Sequence, residues 1–376
     1  MTAILNSRGA GRWAAAWLAL VLVGCSSAAA PVATSSTPAA AAPATAAAPA
    51  TADFKGKTIH LVVGYTAGGG FDANARVLAP YLSAALAGNP TIVVDNQPGA
   101  DSLVAAKTVL TGPQRGDDIS VVVYVSTLLV KSVLNGGIEG FAPEKESAFI
   151  GIPDSSPQTL GLCARKSAVA SLDEFLNRGT PLKVGGLTGG SYYDALLRWT
   201  KEAGFPVDIV FGYAATAPLI LAFNQGEVDA TPACRDQDLQ QNPDWIEQDK
   251  ITPLFTYGQT PETLKKAQAA GKYPWLKYVT DAKPVSDDLK TTLQTINDVN
   301  TGTNIYAVNK QTPAGVRDAL QQGFKQAVTN PSFVADMQKR QLLVGYRSPD
   351  EIAGVLQQIQ TATPTIKGLV SKMLGA

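Results

Sequence analysis

The stretch Thr58–Arg76, TIHLVVGYTAGGGFDANAR, decides how the rest of the chain is read. Thr58–Val63 is a short apolar, β-branched run with the character of a buried strand. Gly68, Gly69 and Gly70 follow, and from Asp72 onward Ala75, Val77, Leu78 and Leu82 recur on one side of a helix. Strand, glycine turn and helix make the first unit of an open α/β sheet. Glycines let backbone N–H groups approach a ligand unobstructed, and a helix start adds unpaired donors and partial positive charge. The stretch reads either as an anion cradle or as a turn packed tightly between strand and helix.

Working outward, the same sequence of signals recurs. Thr91–Val94, Ile119–Val125, Leu182–Gly185, Val207–Phe211, Ile251–Thr256 and Asn304–Val308 read as strands. Nearly continuous apolar runs such as Ile119–Val125 suit a parallel sheet covered on both faces. Asn96–Ser102 feeds a helix over Leu103–Leu110, Leu187–Ser191 one over Tyr192–Ala203, and Gly212–Thr216 one over Ala217–Asn224. Ser126 or Thr127 is expected to cap the helix after the third strand. Ser171–Glu174 and Ser348–Glu351 read as capping boxes. In open α/β sheets ligands sit beyond the carboxyl ends of the strands, so two such sheets face to face make a cleft lined by helix N-termini. After Phe149 the chain enters a second lobe, and Asn304–Val308 returns to the first.

The 376 residues, 45% hydrophobic and 16% charged, suffice for two lobes with real cores. Lys plus Arg and Asp plus Glu are both 31, so no basic excess points to nucleic acid. Arg8 and Arg12 precede the apolar run Trp13–Val23, too short to span a bilayer, which ends Leu22-Val23-Gly24-Cys25. This has the layout of a lipoprotein signal peptide over residues 1–24, with Cys25 the lipidated residue. Residues 25–52, rich in Ala, Pro, Thr and Ser, read as a tether between membrane and domain. With Cys25 consumed by lipid, Cys163 and Cys234 remain as a pair in an oxidising compartment, forming either a disulfide or two separately buried thiols.

GKTIHLVVGYTAGGGFDANARVLAPYL followed by GNPTIVVDNQPGADSLVAAKTV resembles the tripartite tricarboxylate transporter solute-receptor family. The likeness extends to Gly189-Gly190-Ser191-Tyr192-Tyr193, Gly212-Tyr213 and Gly226-Glu227-Val228-Asp229, and covers roughly Phe54–Leu369. It implies a two-lobed periplasmic-binding fold of type II, α/β with mainly parallel sheets. One lobe is expected over 53–152 with 300–376 and the other over 153–299. It further implies capture of a small organic anion (a di- or tricarboxylate or an aromatic acid) and its delivery to membrane permease subunits, without cofactor.

The resemblance places a ligand carboxylate between two first-lobe loops. The first comprises Tyr65, Ala67, Gly68, Gly69, Gly70 and Asp72; the second comprises Gly99, Ala100, Asp101 and Ser102. Asp101 stands where the family pattern has glycine, so it either opposes an anion in the cleft or caps its helix. In the second lobe, Gly189, Gly190 and Ser191 are expected at the ligand, Ser191 as hydroxyl donor or as cap. Tyr192, Tyr193 and Tyr213 either wall the cleft or pack as amphipathic rings. Ala214 occupies a place where family members often carry Lys or Gly. Asp229 is either a structural acceptor for loop N–H groups or a ligand contact. Arg235 is either a bidentate carboxylate ligand or half of a surface salt bridge.

Catalytic constellations are missing from the sequence. His60 is the only histidine and lies within the first strand, no His/Cys set has metal spacing, and AGGGFD lacks the lysine of a phosphate-binding loop. The expected protein is a lipid-anchored, extracytoplasmic receptor in the cell envelope and not an enzyme. Its rivals are a ligand sensor for a membrane signalling protein and a carboxylate-based secreted hydrolase.

Overall fold

The computed structural model describes residues 52–113, 118–155, 161–188, 191–258 and 260–375. The signal segment, Cys25, nearly all of the tether, Gly189 and Gly190 lie outside them. In chain order the strands are β1 (Thr58–Val63), β2 (Thr91–Asn96), β3 (Ile119–Val125), β4 (Ser147–Gly151), β5 (Gly161–Arg165) and β6 (Leu182–Leu187). They continue with β7 (Val207–Tyr213), β8 (Ala230–Thr231), β9 (Ile251–Thr256), β10 (Lys277–Tyr278) and β11 (Asn304–Asn309).

Two mixed sheets result, ordered β2-β1-β3-β11-β4 and β10-β9-β5-β8-β6-β7. In the first, β1 runs parallel to β2 and β3, while β11 is antiparallel to β3 and β4. In the second, β6 is parallel to β7 and β8, and β5 is antiparallel to β8 and β9. This is the two-lobed type II architecture expected from the sequence, with β4 and β10 among the strands that the sequence does not announce. The β1 burial pattern fits its central place: Ile59, Leu61, Val62 and Val63 are all buried.

Helices cover both faces of each sheet. Gly70–Ala85, Ala314–Val328 and Pro331–Lys339 close one face of the first sheet over Leu78, Leu82, Phe324 and Phe333. Leu103–Thr111, Ser126–Asn135 and Pro349–Thr361 close the other over Leu110, Tyr124, Leu129 and Leu356. The last helix, Pro364–Leu374, packs on Tyr192–Glu202 and Asp287–Asn300 and adds Val370, Met373 and Leu374 to the core around Trp199 and Leu196. The aromatic segment around Tyr273 and Trp275 forms a satellite core with Cys163, Cys234 and Trp245.

Local chemistry sets several helix starts. Ser348 and Glu351 form the expected reciprocal box. Ser171 accepts from the Glu174 N–H at 3.2 Å, but the Glu174 carboxylate reaches back one residue further, to the Ala170 N–H. Helix Ser126–Asn135 begins directly from β3 with Val125 as its cap, so neither Ser126 nor Thr127 caps it. The extended cap position is taken by Val125 itself, which places Ser126 and Thr127 inside the first helical turn.

The chain passes between the sheets through segments that meet side by side. Asp154, 3% exposed, accepts from the backbone N–H groups of Thr303 and Asn304 at 3.2 Å, and from Thr303 Oγ1 and Asn304 Nδ2 at 2.9 Å. Ile152 and Arg347 exchange backbone bonds of 3.1 and 3.0 Å, which adds a third segment. Gly302 sits at this junction with φ +103°, and a Cβ there would lie 2.6 Å from Ile152 Cγ2 and 3.0 Å from Ser155 Cα. A side chain is thus opposed by both backbone conformation and space.

Cys163 in β5 and Cys234 after β8 are joined as a disulfide with Cα atoms 5.9 Å apart, both fully buried. It closes a sequence separation of 71 residues inside the second-sheet lobe.

Two stability outcomes follow from these contacts. Gly302→Ala is expected to lower the unfolding free energy by about 1–3 kcal/mol, read by denaturant titration; an unchanged midpoint would contradict the junction geometry. Replacing Cys163 and Cys234 together by alanine is expected to cost about 2–4 kcal/mol. Non-reducing peptide mapping should recover the linked peptides, and two free thiols would reject the bridge.

Candidate functional site

The carboxyl ends of β1, β3 and β6 converge on a cavity of about 460 Å³ between the sheets. From the first lobe it is lined by Tyr65, Phe71 and Asp101, and from the helix after β3 by Thr127 and Lys131. From the second lobe come Ser191, Tyr192 and Arg198, and Asn300 and Thr303 border it at the crossover. A groove of about 560 Å³ runs elsewhere, between Asp287–Asn300, Pro349–Thr361 and Pro364–Leu374. Its Lys290 is paired with Asp287 and its Asp298 accepts from Gln294. We place the candidate site at the smaller cavity because strand ends and unpaired charges meet there.

The first loop is held from beneath by Asp72. Its carboxylate accepts from the Gly68 N–H at 2.8 Å and from Arg76 Nε at 2.9 Å, with a second Arg76 contact at 2.9 Å. Arg76 also reaches Asn96 Oδ1, and Asn96 Nδ2 donates to the Tyr65 carbonyl, which ties the loop to the end of β2. The Arg76 guanidinium holds the Asp72 carboxyl below its ordinary value against the opposing effect of burial. The left-handed residue of the glycine run is Gly68, at φ +82°, whereas Gly69 is extended and caps the helix. Backbone strain on substitution therefore belongs to Gly68. Tyr65 and Phe71 pack with ring centroids 4.3 Å apart. Burial, followed by the Asp101 charge, pushes the Tyr65 hydroxyl up to about 12.

The second loop is strained. Ala100, Asp101 and Ser102 are consecutive left-handed residues, with φ of 44°, 50° and 69°. Buried Ser102 locks the arrangement: its Oγ donates to the Asp101 carbonyl and accepts from the Val125 N–H at 3.1 Å. The Asp101 side chain makes no cap bond; it is exposed and lines the cavity.

In the second lobe Ser191 and Asp194 form a capping box, with Ser191 Oγ accepting from the Asp194 N–H at 3.1 Å. Asp194 also accepts from the Leu187 N–H at 2.7 Å, which fixes the loop before the helix. Ser191 thus caps and lines the cavity at once, its own O–H proton free of that bond. Tyr192 lines the cavity and donates to Asn297 Oδ1 at 2.5 Å; burial raises its pKa. Arg198 Nη1 donates to the Met373 carbonyl at 2.9 Å and its guanidinium lies 5.0 Å from the Phe211 ring centroid. Among the described residues neither Lys131 nor Arg198 has a carboxylate partner.

Of the residues singled out from sequence, Tyr65, Asp101, Ser191 and Tyr192 share this cavity. Ala67, Gly68, Gly69 and Gly70 flank it in an exposed turn. Asp72 and Ser102 are buried supports, and Gly99 and Ala100 carry the strained turn. Tyr193 is buried in the second-lobe core, and Tyr213 donates to Glu227 at 2.6 Å, away from the cavity lining. Arg235 is fully engaged by Asp238 through two 3.0 Å bonds and lies over the Tyr193 ring. Asp229 pairs with Arg165 at 2.6 Å. Lys131 and Arg198 are not singled out by the sequence, since each sits mid-helix and outside any motif of its own.

Among the described residues no group of His, Cys, Asp and Glu is placed to hold a metal ion. No protein-family model and no curated protein matches the sequence. Solved structures do match. A TctC solute binding protein from Polaromonas has a TM-score of 0.59 at 18% identity, over 84% of this chain and 99% of the other. MatC from Rhodopseudomonas palustris with bound malate has a TM-score of 0.51 at 17% identity, over 85% of this chain and 100% of the other. A second protein from that organism, with adipate, has a TM-score of 0.52 at 19% identity, over 86% and 99%. The chain has their fold.

Asp72→Asn is expected to lower stability at neutral pH by about 1 kcal/mol. Because the native pKa lies below the ordinary 3.8, the wild-type contribution is present above that value and lost as pH falls through the lower native one. Denaturant titrations from neutral to acid pH should show the gap between the two proteins closing in acid. A gap that stays constant would remove Asp72 from the loop's support.

Proposed function

We propose that the protein is an extracytoplasmic solute receptor, not an enzyme, that captures a small organic carboxylate between its lobes and delivers it to a tripartite tricarboxylate transporter permease. The observation that carries this reading is the pair of cations, Lys131 and Arg198, facing one cavity at converging strand ends without carboxylate partners among the described residues. A guanidinium already oriented by the Met373 carbonyl keeps its remaining donors for an anion. Solved proteins of this fold hold malate and adipate. Loop backbone donors around Gly68–Gly70 and the Ser191 hydroxyl complete the recognition. Lipid on Cys25 holds the receptor at the envelope, and the closing bodies are 53–152 with the chain from 300 onward against 153–299, the last helix Pro364–Leu374 moving with the second lobe into whose core it packs. Closure excludes water and strengthens the charge pairing.

A thermal-shift screen over organic acids tests the reading, since a ligand that binds only the folded state raises its melting point. Selected carboxylates are expected to stabilise the protein. Lys131→Ala and Arg198→Ala should each weaken the best of them at least tenfold, about 1.4 kcal/mol. Stabilisation by neutral sugars with every carboxylate silent would overturn it.

A further inference from the structure

The cavity carries one charge that a receptor for plain carboxylates does not explain. Asp101 lines it with no ion pair and no side-chain hydrogen bond among the described residues. Its place is not accidental looseness. Three consecutive left-handed residues, the last of them the buried Ser102 bonded to the Val125 N–H, hold the loop, and Asp101 is the middle one. Lys131 lines the same cavity, also unpaired, so the two are more than 4.0 Å apart and do not neutralise each other.

The geometry points to a ligand that carries an ammonium group as well as carboxylates, with Asp101 receiving the ammonium and Lys131 and Arg198 the carboxylates. This rests on the carboxylate-receptor reading above and narrows it. The charged side chains lining the cavity sum to +1: Lys131 and Arg198 against Asp101. An amino dicarboxylate at neutral pH carries about −1 and matches that sum, while a plain dicarboxylate carries about −2. When the lobes close, a plain diacid leaves Asp101 desolvated beside like charge, which is unfavourable; an ammonium group supplies the missing partner through a charge-assisted hydrogen bond. Specificity of this kind comes as much from penalising the wrong ligand as from rewarding the right one.

Calorimetric titration with matched pairs tests this: succinate and aspartate, glutarate and glutamate, adipate and 2-aminoadipate. In the wild-type protein the amino member of the best-binding pair is expected to bind at least tenfold more tightly. Asp101→Asn retains a side chain tolerant of positive φ, and Asp101→Gly suits the backbone without one. Both are expected to abolish the preference while plain diacids bind as well or better. Equal or tighter wild-type binding of the plain diacids, with carboxylates still bound, overturns the ammonium site and leaves the receptor reading standing. A preference that survives in both folded variants also overturns it. Binding of neither member of any pair overturns the ammonium site together with the carboxylate reading for these ligands.

Discussion

The buried Asp154 carboxylate is the contact on which the relation between the lobes depends. It ties the outgoing segment after β4 to the returning segment before β11 by accepting from two backbone N–H groups and two side chains. Burial alone pushes this carboxyl upward, and those donors pull it back toward the ionised form. An uncompensated buried carboxylate costs several kcal/mol, so the junction is stable only while all segments stay in register. Thr303, one of the donors, also borders the cavity. The crossover and the cavity therefore share a residue, and a ligand touching Thr303 meets the segment that joins the two sheets.

The wiring of the sheets shows why the cavity forms there. In each sheet the strand that arrives from the other lobe, β11 or β5, lies antiparallel between its neighbours. The order β2-β1-β3-β11-β4 is repeated by β7-β6-β8-β5-β9, to which β10 adds an edge strand beside β9. The strands preceding the key loops, β1 and β6, hold equivalent places, so their carboxyl ends face each other across the crossover. The cavity follows from connectivity rather than from any single side chain.

Much of this was legible in the sequence because its signals are local. Ile119–Val125 and Ile251–Thr256 are strands with the bounds that their apolar runs predict, and the Ser348–Glu351 box marks its helix start. β4 was not legible: it follows the charged Glu144-Lys145-Glu146, is mostly half-buried, and owes its existence to pairing with β11 over 150 residues later. Arg235 reads from the sequence as either a carboxylate ligand or half of a surface salt bridge, and its bidentate partner Asp238 stands only three residues on. Lys131 and Arg198 had no such pointer. Each is one cation within an amphipathic helix, and only tertiary packing turns it toward the other.

Asp101 shows how a locally unfavourable sequence is held in place. Left-handed backbone in a non-glycine residue costs on the order of 1 kcal/mol, and here three such residues are adjacent. Glycine at 101 would relieve part of that strain. The loop persists because Ser102 is buried and bonded to the Val125 N–H, so the end of β3 dictates the conformation. Helix Ser126–Asn135 starts at that same strand end and carries Lys131. One strand terminus thus sets the positions of an unpaired acid and an unpaired base. The backbone at this strand end thus sets where the two opposite charges enter the cavity.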